Sequence, residues 1–149
     1  MPAARTEAIT TAITVDASVA VPWVVAEQSN PAIDAIFQDA YRHVSRVVVP
    51  ALWLWECANV LRTMVRIQRL SKTDAEEALD IFRYVHPILD PLPSVDVQQR
   101  TLDLAHRYNL TYYDASYLET AKRQGCTLAT LDHDMRKAAG ACGVHCLDL

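Results

Sequence analysis

The sequence predicts an α/β fold, a three-layer sandwich around a mostly parallel central sheet. Three observations lead there. Short apolar, β-branched runs recur along the chain: "AITV" (12–15), "RVVVP" (46–50) and "TLATL" (127–131). Longer stretches with apolar residues at helical spacing separate them, and strands alternating with helices favour parallel pairing. Finally, 149 residues with 51% hydrophobic and 21% charged content are enough for one buried core without a structural metal or disulfides. No linker or low-complexity segment divides the chain. The expected organisation is a short tail over 1–12 and one domain over 13–149.

Each element follows from its residues. "AITVDASVA" (12–20) is a strand that ends at Asp16 and turns into a helix. "NPAIDAIFQDAYRHV" (30–44) places Ile33, Ile36, Phe37 and Tyr41 at helical spacing, with Asn30 as N-cap and Pro31 at the first helical position. "RVVVP" is a short buried strand closed by proline. The stretch 51–70, "ALWLWECANVLRTMVRIQRL", is a long helix whose first half is apolar nearly all round, the pattern of a buried helix. In "SKTDAEEALDIFRYV" (71–85) either Ser71 or Thr73 caps a helix, and "TDAE" fits a capping box. "HPILDPLP" is a brief strand between prolines. "SVDVQQRTLDLAHRYN" (94–109) turns Val97, Leu102, Leu104 and Ala105 inward and stops at Asn109. "YYDASYLETAKRQG" (112–125) is a helix ended by Gly125. "TLATL" is a strand, "DHDMRKAAG" a short helix and "VHCLDL" a last strand.

Bulk properties narrow the function. No apolar run reaches the roughly 18 residues of a membrane span, and "MPAARTEAIT" lacks the apolar core of a signal peptide. A cytoplasmic protein is expected, with no membrane partner. The formal net charge of −4 argues against broad, non-specific nucleic-acid binding, but leaves room for a nucleic-acid enzyme with local patches. Cys142, His145 and Cys146 do not have finger spacing and no second ligand pair exists, so the four cysteines read as reduced, packed thiols.

The acids are more informative. In an open parallel sheet, ligands bind at the carboxyl ends of the strands. Asp16 ends "ITVD" and Asp132 ends "LATLD", so both should emerge at the same rim. Asp114 heads its helix, where the helix dipole favours a negative group. Each of these three also suits an ordinary capping or first-turn role. Glu56 does not. It lies among Trp53, Leu54, Trp55, Cys57, Ala58, Val60 and Leu61 with no basic residue within one turn. A carboxylate there is costly unless paired or metal-bound. Asn59, three residues on, shares its face. Two carboxylates about 6 Å apart repel by roughly 3 kcal/mol at an effective dielectric near 20. If the fold gathers all four acids, a hard divalent cation such as Mg²⁺ or Mn²⁺ is the simple counter-charge.

These residues, in this order, resemble the PIN domain, and most closely the VapC-like toxins of prokaryotic toxin–antitoxin pairs. The resemblance covers Ile13 to Leu149. "VDASVAVPWV" is similar to the family's first motif, with Asp16 and Ser18; "VPALWLWECANVL" to the second, with Glu56 and Asn59; "LTYYDASYLETAKRQGCTLATLDHDM" to the third and fourth, with Asp114, Thr130 and Asp132. The resemblance implies a PIN-like fold and a metal-dependent endoribonuclease. Asp16, Glu56 and Asp114 would be its principal metal-site carboxylates, and Asp132 would complete the pocket. Ser18, Thr130 and Asn59 would support them, and a metal-activated water would attack an RNA phosphodiester. It also implies a cognate antitoxin and a homodimer. Asp134 is the alternative fourth acid, although it reads better as a surface residue. Arg62, Arg66 and Arg69 form an i, i+4, i+7 stripe that is either a solvated face or a contact for RNA or antitoxin. Trp53/Trp55 and Tyr112/Tyr113 could stack bases, although Trp53 and Trp55 suit the core or an antitoxin groove better. The competing reading is a non-catalytic or DNA-directed PIN-fold module; a phosphoacceptor domain built on Asp16 is disfavoured because no Lys occurs before Lys72.

Overall fold

A computed structural model describes residues 11–149 of the chain. Of the expected tail, 1–10 lie outside the described residues, and Thr11 and Ala12 already belong to the first strand. The strands are β1 (Thr11–Val15), β2 (Ser45–Val49), β3 (Ile88–Leu89) and β4 (Thr127–Ala129), in the order β3-β2-β1-β4. Every pairing is parallel, with Ile13 opposite Val47 and Val15 opposite Ala129. The helices are α1 (Ala17–Ala20), α2 (Pro31–Tyr41), α3 (Leu52–Arg66), α4 (Lys72–Ile81), α5 (Val95–Tyr108), α6 (Tyr112–Gln124) and α7 (His133–Ala141), joined by short 3₁₀ turns.

The strand residues explain the layering. Ile13, Thr14 and Val15 are buried in succession, as are Val47, Val48 and Val49. Because consecutive strand residues point to opposite faces, such a run requires helices on both sides of the sheet. α6 packs on β1, β2 and β4, and α2 packs on β2. The core between these layers holds Val19, Ile33, Trp53, Leu61, Tyr117, Leu118, Leu128 and Met135, each almost wholly buried.

Helix ends follow local chemistry. Asn30 caps α2 through Ile33 N–H at 3.0 Å, with Pro31 at the first position. Asn109 and Gly125 terminate α5 and α6 in the left-handed region, at φ of 53° and 66°.

Five expectations need correction. The capping box of α4 is formed by Ser71 and Asp74, not by Thr73, because the side chains of Ser71 and Asp74 each meet the other's backbone N–H. α3 buries one stripe, Trp53, Cys57, Leu61 and Met64, rather than its whole first half; Leu54 and Trp55 face outward. α3 ends at Arg66, and Gln68 takes a left-handed turn at φ 61°, so Arg69 leaves the stripe begun by Arg62 and Arg66. Leu102 is exposed on α5, whose inner face is Thr101, Leu104 and Ala105. The C-terminal "VHCLDL" makes a single parallel bridge, Cys146 to Leu128, rather than a strand.

Candidate functional site

The sheet register brings the first elements of the site together. Because Val15 lies opposite Ala129, the next residues, Asp16 and Thr130, meet where β1 and β4 end. Thr130 Oγ1 donates to Asp16 Oδ2 at 2.5 Å, and Ser18 Oγ donates to Asp16 Oδ1 at 2.5 Å. The two hydroxyls also accept. Leu131 N–H donates to Ser18 Oγ at 2.9 Å, and Asp132 N–H donates to Thr130 Oγ1 at 3.0 Å. Two hydroxyls therefore tie the loop after β4 to the acid after β1. Asp16 also caps α1 by accepting from Val19 N–H at 3.3 Å, and Asp132 caps α7 by accepting from Met135 N–H at 2.8 Å. The capping roles and the cleft positions coexist.

The helices supply the other acids. Proline and alanine at 50–51 turn the chain from β2 into α3, which carries Glu56 and Asn59 past the sheet rim. Thr111 caps α6 by accepting from Asp114 N–H at 3.1 Å, which sets Asp114 in the first helical turn. Asp16, Ser18, Glu56, Asn59, Asp114 and Asp132 line one cleft of about 260 Å³, together with Ala17 and Val60. Thr130 sits fully buried behind Asp16. Asp134 faces a different hollow beside Arg107 and Lys137, so Asp132 is the acid that reaches the cleft.

One site residue went unrecognised in the sequence. Tyr117, fully buried on α6, donates its hydroxyl to Glu56 Oε2 at 2.5 Å. It lies three residues after Asp114, on the same helical face, which is the signal that could have singled it out. Asn59, by contrast, makes no hydrogen bond to Glu56 among the described residues; its amide stands exposed at the cleft wall.

Charge distinguishes this cleft from the rest of the molecule. Burial pushes the Asp16 carboxyl above its ordinary pKa, against the lowering pull of the Ser18 and Thr130 hydroxyls. Glu56 is raised by burial, and further by Asp114 and Asp16, while Tyr117 pulls it down. Asp114 is raised by burial and by Asp132, with its Thr111 bond opposing. Among the described residues no Lys, Arg or His forms an ion pair with any of these four acids, and none lines the cleft. Elsewhere, buried acids are matched. Arg123 donates to both oxygens of Asp90 and, at 2.9 and 3.0 Å, to both of Glu119; Gln124 adds a 2.7 Å bond to Asp90. A larger hollow of about 670 Å³ lies beside that network, lined by Arg100, Arg107, Lys122 and Arg123 with Asp103 and Glu119, and most of its charges are already paired with one another.

The basic residues expected to meet a partner lie outside the acid cleft. Arg62 lines a groove of about 530 Å³ between α3 and α4 with Leu61, Val65, Lys72, Ala75, Glu76 and Leu79; Arg66 and Arg69 are exposed nearby in sequence. Trp53 is core, only 1% exposed. Trp55 instead lines a second, apolar groove with Leu92, Tyr112 and Tyr113.

A bound cation has to suit the donors present. The cleft offers only oxygen ligands, four of them carboxylates, which is the set a hard divalent ion prefers. Among the described residues no three His, Cys, Asp or Glu side chains form a ready-made metal cage. Mg²⁺ keeps several waters and is usually held by only one or two carboxylates directly.

Fold and site together define an all-parallel α/β domain with an acid-lined cleft at the carboxyl rim of its sheet. The PIN domain sequence profile matches residues 13–141, and the chain belongs to that family. Ribonuclease VapC9 of Mycobacterium tuberculosis (strain ATCC 25618 / H37Rv) is 34% identical over 87 residues, 58% of this chain. The match spans 65%, just under two thirds, of that relative's length. Exonuclease VapC9 of Pyrobaculum aerophilum is 27% identical over 128 residues, 85% of this chain and 93% of its own. The crystal structure of PAE2754 from Pyrobaculum aerophilum shares the fold with a TM-score of 0.68 over 95% of this chain and 88% of that one, at 22% identity. No helix among the described residues is long and apolar enough to cross a membrane.

Proposed function

We propose that the chain is a Mg²⁺- or Mn²⁺-dependent endoribonuclease that acts as the toxin of a toxin–antitoxin pair. One observation carries this reading. Four acids line the cleft with only neutral hydrogen-bond donors around them, while the buried acids Asp90 and Glu119 are matched by Arg123. Asp16 is buried and Glu56 and Asp114 are half-buried; negative charge drawn out of water without a counter-ion is costly, and a divalent cation together with the phosphate it attracts removes that cost.

Asp16, Glu56 and Asp114 would hold the ion, with Asp132 at the open edge. Such an ion supplies an activated water and charge neutralisation at the scissile phosphate. Ser18 and Thr130 keep Asp16 from rotating. Asn59 offers a neutral donor to a phosphate oxygen. The relatives' names support hydrolysis of nucleic acid, ribonuclease in one case and exonuclease in the other. They are also why DNA belongs in the assay.

Two surfaces fit the expected protein partners. The groove holding Trp55, Leu92 and Tyr113, which are 64, 79 and 60% exposed, is apolar enough to bury against a second copy of the chain. The groove between α3 and α4, where Arg62 and Lys72 outnumber Glu76 beside apolar residues, suits an amphipathic segment of an antitoxin. The test is incubation of the purified chain with RNA and with DNA in Mg²⁺, Mn²⁺ or chelator. Metal-dependent RNA cleavage that disappears in Asp16→Asn supports the reading. Cleavage that persists in chelator, or an inert protein under every condition, overturns it.

A further inference from the structure

Side chains of α6 reach two acids outside the helix, and they treat the two acids differently. Arg123, near the C-terminal end of the helix, matches Asp90 with a full positive charge. Tyr117, at mid-helix, meets Glu56 with a neutral hydroxyl at 2.5 Å. The bond links residues 61 apart in sequence and crosses from α6 to α3. The Tyr117 ring is completely buried, so the phenol has no solvent to turn to. Among the described residues Glu56 Oε2 has no other hydrogen-bond partner, and Oε1 has none.

We propose that Tyr117 is a positioning residue for a divalent cation: its hydroxyl fixes Glu56 Oε2 and leaves Oε1 available at the cleft wall. The inference rests on the metal-nuclease reading and adds a residue to it. The choice of side chain has a physical reason. A lysine or arginine at this place would orient Glu56 equally well, but would cancel its charge and compete with the cation. A phenol restrains the carboxylate's rotation and leaves its charge in place. Partners that orient metal ligands in this way are worth roughly 10- to 100-fold in metal affinity. Because Tyr117 lies beneath Glu56 with no exposed surface, it touches no substrate.

The test is Tyr117→Phe, which keeps the ring and removes the hydroxyl. Mn²⁺ binding to the full chain is measured by calorimetry, and RNA cleavage by steady-state kinetics. Mn²⁺ affinity should fall about tenfold or more, and kcat should fall with KM for RNA unchanged. In the Glu56→Gln background the same substitution should cause no further loss of affinity, because the tyrosine acts through that carboxylate. Losses that add in the double variant, or unchanged affinity in Tyr117→Phe, overturn the inference and leave the nuclease reading standing. A wild-type chain that binds no Mn²⁺ overturns both. A measurement on the wild-type chain covers the case in which Tyr117→Phe does not fold. The Tyr117 hydroxyl proton, slowed in exchange by burial, should shift in the NMR spectrum when Mg²⁺ is added; a resonance that stays in place overturns the inference.

Discussion

Glu56→Gln should make the metal-free protein more stable, an unusual outcome for a substitution in an active-site cleft. Glu56 is half-buried and its carboxyl is raised above the ordinary 4.5, first by burial and then by Asp114 and Asp16. A raised carboxylate is a group that the fold holds more readily protonated than the unfolded chain does. Its ionisation therefore subtracts stability as pH rises from 4.5 through the raised value, and the deficit persists at neutral pH. Glutamine removes the charge and keeps an acceptor for Tyr117. What it loses is the extra strength of a charge-assisted bond, about 1 kcal/mol. What it gains is relief from desolvation and from two neighbouring carboxylates, a single one of which costs roughly 3 kcal/mol at about 6 Å. Glu56 is half-exposed, so solvent screening cuts that repulsion well below its full value, and a net gain of about 1 kcal/mol is expected, a rise in Tm of roughly 2–4 °C for a chain of this size. Thermal melts in chelator, at neutral pH and again near pH 4, read the effect. The gain should be present at neutral pH and vanish in acid. Excess Mn²⁺ should reverse the ranking, because only the wild-type chain has the full acid set. A lower Tm for Glu56→Gln in chelator at neutral pH would refute the argument that this carboxylate is held without compensation.

Asp16→Asn and Asp114→Asn should each fold with a Tm near that of the wild type and lose RNA cleavage by at least about a hundredfold, together with any growth arrest on expression; cleavage at the parental rate would remove them from the metal site. Arg123→Ala should cost about 3 kcal/mol in urea unfolding, since it leaves buried Asp90 with only the neutral Gln124 bond and buried Glu119 with only Arg100, at 3.6 Å. Burial alone would raise Asp90, but the Arg123 and Gln124 bonds hold it below its ordinary 3.8. Its stabilisation is therefore complete above 3.8 and fades only as pH falls through the lowered value, and in Arg123→Ala that acid-limb behaviour should disappear. Ser71→Ala should cost about 1 kcal/mol by the same assay, whereas Thr73→Ala should be nearly neutral.

Most of the architecture could be read from the residues because its signals are local. Hydrophobic period and cap chemistry place Asn30, Asn109 and Gly125 at helix ends and put acids after β1 and β4. What the residues hid was long-range. The apolar stretch 52–55 gives no clue to which of its faces meets the core, so Trp53 and Trp55 look equivalent although one is core and the other is 64% exposed. The Tyr117–Glu56 bond spans 61 positions, and no local rule pairs them. Arg69 falls off its stripe because Gln68 adopts a left-handed turn that its side chain does not advertise. Asp132 and Asp134 differ by two residues, and only the cap geometry at the start of α7 decides which one faces the cleft.

The central claim is that a cation is what the uncompensated acids are for, and calorimetric titration with Mn²⁺ tests it most directly. The wild-type chain should bind, with affinity rising as pH climbs through the raised values of Asp16, Glu56 and Asp114 and protons are released. Asp114→Asn should bind far more weakly. Equal binding by the two proteins, or none by either, would contradict the claim.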